Sequence, residues 1–437
     1  MLNFEEAMAF ISSLAKKGSD FSLDGINAIL DRLQNPQNKL KIIHIAGTNG
    51  KGSTATYLSN ILISSGYSVG TFLTPAVFSY LEVFKVNNTE ISKEDFVATI
   101  NQIYPIYLQL KNTYNITSFM IEVAICYTYF YNKKVDFAII ECGLGGLYDA
   151  TNVEKSNILS IITQIAVDHS SVLGSIEDIA KNKCGIIRDS AVITTKSNTY
   201  VQNIIENNAK LCNANLIVAD IAKSEVDTVQ KLTYKSQVYT TKMLGEYQKI
   251  NLPLAIEATN YLKELGYNIT DKSIKQGIEN SFIAGRFEVL QHNPLFIIDG
   301  AHNENASTYM QNFIKNNKDV TLIIGIFKDK DYKSIVKNTA IYATKIYTFD
   351  WDNSRALSGL ALKQEIEKYN KNVEYTTLKN AVNQAKQDKN EIVVAFGSLS
   401  FLNIVKAEVK NGWYKKNWTG CNYDTWGYWR RHFSWGN

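Results

Sequence analysis

The stretch HIAGTNGKGST at residues 44–54 restricts the fold of this chain more than any other. An apolar, strand-like run gives way to glycines at 47, 50 and 52, a lysine and hydroxyl residues, and a helical pattern follows from about Ala55. Phosphate chemistry needs this layout. Glycines let backbone N–H groups approach phosphate oxygens, a helix N-terminus adds partial positive charge, Lys51 can reach the β/γ-phosphates, and Ser53 can ligate Mg²⁺. Gly47, Thr48, Asn49, Gly50, Lys51, Gly52 and Ser53 are therefore candidate nucleotide-binding residues. The spelling is a variant of G-x-x-x-x-G-K-[ST], because Ile45 stands at the first glycine and Gly52 follows the lysine. An ordinary glycine-rich turn with an exposed lysine is the bland alternative. Three glycines between a strand and a helix outweigh it.

Around this loop, apolar runs alternate with helix-length stretches. LKIIHIA (40–46), VGTFL (69–73), DFAIIEC (136–142) and ILSIITQIAV (158–167) are apolar on consecutive positions, which suits parallel strands covered on both faces. Stretches 91–110 and 118–133 have helical length and complete β-α-β units. After Lys231 the text becomes hairpin-like, and a helix is expected near 246–265. A second series starts near 288 with LFIID (295–299), VTLIIGIF (320–327), KIYTFD (345–350) and EIVVAF (391–396). The reading is α/β throughout: an N-terminal, mostly parallel P-loop-type ATPase domain over 1–284 and a smaller Rossmann-like α/β domain over 285–410. Residues 411–437, which hold five of the six tryptophans, form an atypical tail. It reads as a docking surface, a packed extension or a frameshifted stretch.

Composition excludes several classes. Lys plus Arg number 46 against 42 Asp plus Glu, with no run of five or more like charges, so no basic patch for nucleic acid is expected. The N-terminus lacks a basic region followed by an apolar core, and no stretch of about 18 apolar residues spans a membrane. Five scattered cysteines, odd in number and never spaced C-x-x-C, argue against a disulfide framework or a zinc site and for a reducing cytoplasm.

Seven further blocks follow the loop in order: GLGGLYDATN (143–152), DHSSVLG (168–174), KCGII (183–187), GRFE (285–288), DGAHN (299–303), DKDY (329–332) and FGSLSF (396–401). With GTNGKGS they resemble the folylpolyglutamate synthase and dihydrofolate synthase family, a branch of the Mur-ligase-type ATP-dependent amide ligases. The resemblance spans roughly residues 40–402.

Glu141 closes an apolar strand, so its carboxylate emerges where open α/β sheets place ligands. The resemblance implies that Glu141 and Ser53 hold a first Mg²⁺, with Thr74 in the same region. It also implies a second Mg²⁺ at His169, after Asp168, with Lys183 as a carbamylated lysine. A lone helical lysine is otherwise a solvated charge; as a carbamate it offers hard oxygen ligands. In the second domain the resemblance gives ATP contacts to Asp299, His302 and Arg286, with helix N-capping by Asp299 or Asn303 as the plain alternative. EYQKINLPLA (246–255) makes Gln248 and Asn251 nucleotide-site candidates, although Tyr247 replaces the usual histidine. The nucleotide is expected between the domains. Arg355 either holds an anionic substrate or an interface, or makes a surface salt bridge.

Departures from the pattern gather where the pterin is expected. In LTPAVFSYLEVF (73–84), Thr74 stands for a serine, Ser79 and Val83 stand for arginines, and Glu82 alone is kept. Met120 and Val123 replace an expected glutamate and threonine, and Leu147 an arginine.

What the resemblance implies is an ATP-dependent ligase that joins L-glutamate to dihydropteroate or a reduced folate through an acyl phosphate. Lys51, His169 and Lys183 would be its catalytic residues, ATP and two Mg²⁺ its cofactors, and a monomer its state. The alternatives are a Mur-type ligase acting on another carboxylate and a non-catalytic nucleotide-binding interaction protein.

Overall fold

A computed structural model describes residues 1–14, 22–167, 170–226, 230–387 and 390–410. Asp168, His169 and the tail 411–437 lie outside these. The chain divides into two compact units, one of Met1–Lys242 with Tyr247–Phe282, the other of Met243–Glu246 with the chain from Ile283 onward.

In the first unit, eight strands form one sheet: β1 (Ile42–Ala46), β2 (Val69–Phe72), β3 (Phe84–Val86), β4 (Thr89–Glu90), β5 (Phe137–Glu141), β6 (Leu159–Ile162), β7 (Ala191–Thr195) and β8 (Asn215–Ala219). Their order is β4-β3-β2-β5-β1-β6-β7-β8. Strands β2, β5, β1, β6, β7 and β8 pair in parallel, and β3 and β4 are antiparallel at one edge. Every residue of β1, β2, β5, β6 and β7 is buried. The consecutive apolar runs record that two-sided covering. The hairpin-like stretch after Lys231 belongs to a three-stranded antiparallel sheet, β9 (Lys223–Val226), β10 (Gln230–Tyr234) and β11 (Gln237–Thr241).

In the second unit, β12 (Glu288–His292), β13 (Leu295–Asp299), β14 (Val320–Ile324), β15 (Lys345–Thr348), β16 (Val373–Tyr375) and β17 (Ile392–Phe396) lie in the order β12-β13-β17-β14-β15-β16. Only β12 is antiparallel to its neighbour. Alternate residues feed opposite cores. Ile297, Leu322, Ile324 and Phe396 pack on one face, and Phe296, Ile298, Ile323 and Ala395 on the other, as the two-residue period of a strand requires.

Two expectations are corrected. The loop helix begins at Lys51, not near Ala55: Gly50 takes the left-handed conformation at its N-cap, and Gly52 sits in the first turn, where it breaks nothing. The run expected as a strand to Val167 ends at Ile162, because the residues beyond it hydrogen-bond to the phosphate loop instead.

Candidate active site

The loop between β1 and helix Lys51–Ser64 is pinned from one side. The Thr48 and Asn49 amides donate to Gln164 O at 2.8 and 3.3 Å. Thr48 Oγ1 donates to Ala166 O (2.9 Å) and Thr163 Oγ1 to Asn49 O (2.8 Å). This approach requires the glycines. Gly47 has φ +153°, and a Cβ there would lie 1.8 Å from Thr163 Oγ1; Gly50 has φ +91°, and its Cβ would lie 2.2 Å from Asn251 Oδ1. The first intrahelical bond runs from Thr54 N to Gly50 O (2.9 Å). An α-helix leaves the amides ahead of that bond without intrahelical acceptors, as an anion site needs.

Three charged side chains meet at this loop. Lys51 Nζ donates to Gly47 O at 3.1 Å and stands 3.6 Å from Glu141 Oε1. Glu141, buried at the end of β5, accepts from the Thr74 backbone amide through Oε2 (3.3 Å). Lys183 is not a solvated helical charge: it is 5% exposed and donates to Gly47 O at 2.8 Å. Its helix, Ile176–Cys184, is held by the glycine run after β5, with Gly146 N donating to Asn182 Oδ1 (2.9 Å) and Leu147 N to Asn182 O (2.7 Å). Ser53 is buried in the first turn of the loop helix. His169 lies outside the described residues.

Gln248 and Asn251, on helix Gln248–Glu264, share a hydrogen bond from Asn251 Nδ2 to Gln248 Oε1 (3.2 Å). Asn251 touches the loop at Gly50, and the buried Gln248 Nε2 has no partner among the described residues. The eroded loop after β2 begins with a cis Thr74–Pro75 bond. Glu82 turns inward there and accepts the Val77 and Phe78 amides.

In the second unit, the two Asp299 carboxylate oxygens accept the amides of Phe287 and Ala301, each at 2.7 Å. Helix capping falls to Asn303, which accepts from Ala306 N. His302 Nδ1 lies 2.9 Å from Gly300 O. The Arg286 guanidinium lies against Gly300, 2.7 Å from where a Cβ would stand. Arg355 makes a salt bridge to Asp329 and lies 4.2 Å over the Phe327 ring.

Residue-by-residue reading missed a buried cluster under the loop. His44, in the middle of β1, has Nδ1 2.9 Å from Glu154 Oε1, and Nε2 2.9 Å from Thr151 Oγ1 and 3.2 Å from Cys142 Sγ. Thr151 continues to Asp149, whose Oδ2 accepts from Leu144 N of the glycine run (2.7 Å). The available signal was DATN (149–152), whose polar residues have no other reason to be buried.

The Mur ligase middle domain family matches residues 45–259, and the Mur ligase glutamate ligase domain family matches residues 285–399. The chain is 31% identical over 433 residues to the dihydrofolate synthase/folylpolyglutamate synthase of Bacillus subtilis, covering 93% of this chain and 99% of that one. It is 30% identical over 368 residues to the folylpolyglutamate synthase of Lacticaseibacillus casei, covering 78% and 84%. A solved folylpolyglutamate synthase from Thermotoga maritima shares 29% identity at a TM-score of 0.81, covering 94% and 97%. The fold and the phosphate loop define a Mur-type ATP-dependent ligase, an enzyme that forms C–N bonds. Within that class the chain belongs to the dihydrofolate synthase/folylpolyglutamate synthase family of glutamate ligases.

Gly50→Ala tests the loop directly. A side chain at φ +91° costs about 1–2 kcal/mol, and Asn251 must yield as well. Nucleotide affinity should fall at least about tenfold, read by calorimetric titration with ADP, while the melting temperature drops by only a few degrees.

Proposed function

We propose that this chain joins L-glutamate to the free carboxylate of dihydropteroate, of a reduced folate, or of both, through an acyl phosphate. The observation that carries the reading is the convergence of Lys51, Glu141 and Lys183 on the Gly47 turn. The γ-phosphoryl group of ATP passes to an oxygen of the acceptor carboxylate. The glutamate amine then attacks the acyl carbon: a C–N bond forms, the acyl C–O bond breaks, phosphate leaves and the amine gives up a proton.

Such a transfer depends on positioning and charge neutralisation more than on covalent help. The Thr48 and Asn49 amides, held by Gln164 O, fix the shape of the loop at Gly47; the amides of Gly50, Lys51 and Gly52, ahead of the first intrahelical bond, supply donors for phosphate oxygens, and Lys51 exchanges its carbonyl partners for them. Gln248 and Asn251 border the same nucleotide, the unpartnered Gln248 amide being available to it. From the second domain, taken as 285–410 against 1–284 for the first, Arg286 and His302 are the nucleotide contacts. Asp299 shapes the turn that carries them.

Among the described residues, no three or more His, Cys, Asp or Glu side chains gather as a metal site. A buried carboxylate at the end of β5 and a buried hydroxyl in the first turn of the loop helix still suit Mg²⁺, which takes few protein ligands and fills its shell with phosphate and water oxygens. Glu141 and Ser53 would hold that ion, with Thr74 orienting Glu141 through its amide. A bound Mg²⁺ would neutralise charge on the transferring phosphoryl group. A second ion at Lys183 fits only a carbamate, since an ammonium cannot ligate a cation; His169 would complete it.

Among the described residues no helix is long and apolar enough to cross a membrane. Cys126, Cys142, Cys184 and Cys212 are free thiols, which supports a cytoplasmic setting. Monomer is the working state. A second reading, a ligase for a different carboxylate, draws its support from Ser79 and Val83 in the eroded loop.

The test is phosphate release with ATP, Mg²⁺ and L-glutamate, run with dihydropteroate, with tetrahydrofolate and with neither. Release with dihydropteroate establishes the synthase step, and release with tetrahydrofolate establishes chain extension. Silence with both, in a protein that binds ATP, overturns the folate reading.

A further inference from the structure

Helix Ser118–Asn132 starts beside the glycine run, and of its residues 119–123 only Phe119 and Glu122 keep appreciable exposure. At i and i+3 they share one face. The Phe119 ring abuts Gly143, two residues beyond Glu141, at 2.6 Å from where a Cβ would stand. Its centroid is 6.2 Å from that of Phe72. Tyr80, from the loop whose Thr74 amide binds Glu141, packs edge-on against Phe84 and Phe96 with centroids 6.1 and 6.0 Å away. Its hydroxyl donates to Glu122 Oε1 at 3.2 Å. Tyr80 is the one hydrogen-bond partner of Glu122 among the described residues. An aromatic wall thus begins beside the phosphate-site carboxylate and ends in a largely buried acid whose Oε2 has no hydrogen-bond partner among the described residues.

Desolvation pushes the Glu122 carboxyl up to about 7, against the opposing effect of the Tyr80 hydrogen bond. An acid left in such surroundings is costly unless a ligand repays it. Flat aromatic rings stack on flat ligands, and a carboxylate matches a ligand that offers two adjacent N–H donors. A 2-amino-4-oxopyrimidine ring, the outer edge of a pterin, offers that pair.

We propose that Glu122, oriented by Tyr80, is a specificity-determining residue that accepts the 2-amino and ring N–H donors of the acceptor's pterin. The inference rests on the acceptor being a pteroyl compound, as proposed above. It also addresses the lost positions: Glu122 follows Met120 by two residues and precedes Val123 by one, so it presents from a different face of the same helix a polarity that the family pattern places at those two positions.

The experiment compares wild type with Glu122→Gln, which keeps the size and still accepts from Tyr80 but loses the charge. The KM for dihydropteroate or tetrahydrofolate should rise about 10- to 100-fold, the worth of a hydrogen bond to a charged group, with the KM values for ATP and glutamate unchanged. Wild type should be inhibited more strongly by free pterin than by lumazine, which carries a carbonyl in place of the 2-amino group, and the variant should lose that preference. Tyr80→Phe, which removes only the orienting hydroxyl, should raise the acceptor KM by a smaller factor and gives the same readout if the glutamine variant does not fold. An unchanged acceptor KM in an active wild-type background overturns the role of Glu122 and leaves the folate reading intact. A parallel loss of ATP affinity and melting temperature makes the residue merely structural and also overturns it. Wild type silent with both acceptors overturns the two readings together.

Discussion

Lys183→Ala should lower glutamate ligation by about 10²–10³-fold, the scale seen when one charge-stabilising group is removed from a transfer site. Its amine lies 2.8 Å from Gly47 O in a buried setting. Two roles fit that position. As an amine, Lys183 clamps the turn. As a carbamate, formed when the neutral amine attacks CO₂ and releases a proton, its nitrogen keeps one N–H for Gly47 O and its two oxygens face the loop. The outcomes separate the two. Under the carbamate reading, wild-type activity falls when bicarbonate and CO₂ are stripped from the buffer, and formate or acetate partly restores Lys183→Ala. A clamp predicts neither, and Lys183→Arg would then keep part of the activity. Stability is the control, measured on the same variant. A melting temperature near that of wild type, together with lost turnover, places the effect in the chemistry.

The fold was legible where burial on both faces writes consecutive apolar residues, as in β1, β5, β13 and β17. It was illegible where burial is one-sided or partial. Strand β8, NLIVA, is only partly buried at the sheet edge, and β12, EVLQH, carries polar residues as an antiparallel edge strand. The loop was legible because glycine positions reflect local backbone demands: Gly47 and Gly50 occupy conformations that side chains resist. Lys183 was reached only through the family resemblance, since nothing near it in the chain reveals that its amine ends on a carbonyl 136 residues earlier. The same limit hid Glu122, whose meaning depends on Tyr80, 42 residues away. Asp299 shows the converse. Its place at a strand end points to a ligand, yet its oxygens hold the turn that positions Arg286 and His302.

The largest effect on stability should come from His44→Ala. His44 is fully buried, and its partner Glu154 is 3% exposed. Removing the imidazole leaves the Glu154 carboxylate, among the described residues, facing only Arg188, whose Nη2 stands 3.6 Å from Oε1. Breaking a buried pair in this way costs about 3–5 kcal/mol. Burial alone would lower the His44 pKa, but the Cys142 sulfur and the Glu154 carboxylate outweigh it, and the ring is held well above 6.5. The native state therefore keeps a proton that the unfolded chain loses above about pH 6.5, so the contribution is complete below that pH and fades as the pH rises through the folded value. Urea unfolding of wild type and His44→Ala should show a larger gap at about pH 6 than at about pH 9. A gap that is the same at both pH values would mean that His44 acts by packing alone. Activity should respond too, because the cluster runs from β1 through Thr151 and Asp149 to Leu144, joining the strand that carries the phosphate loop to the glycine run that holds the Lys183 helix. A variant still folded at low denaturant should bind ADP more weakly without any change to a residue that faces the nucleotide.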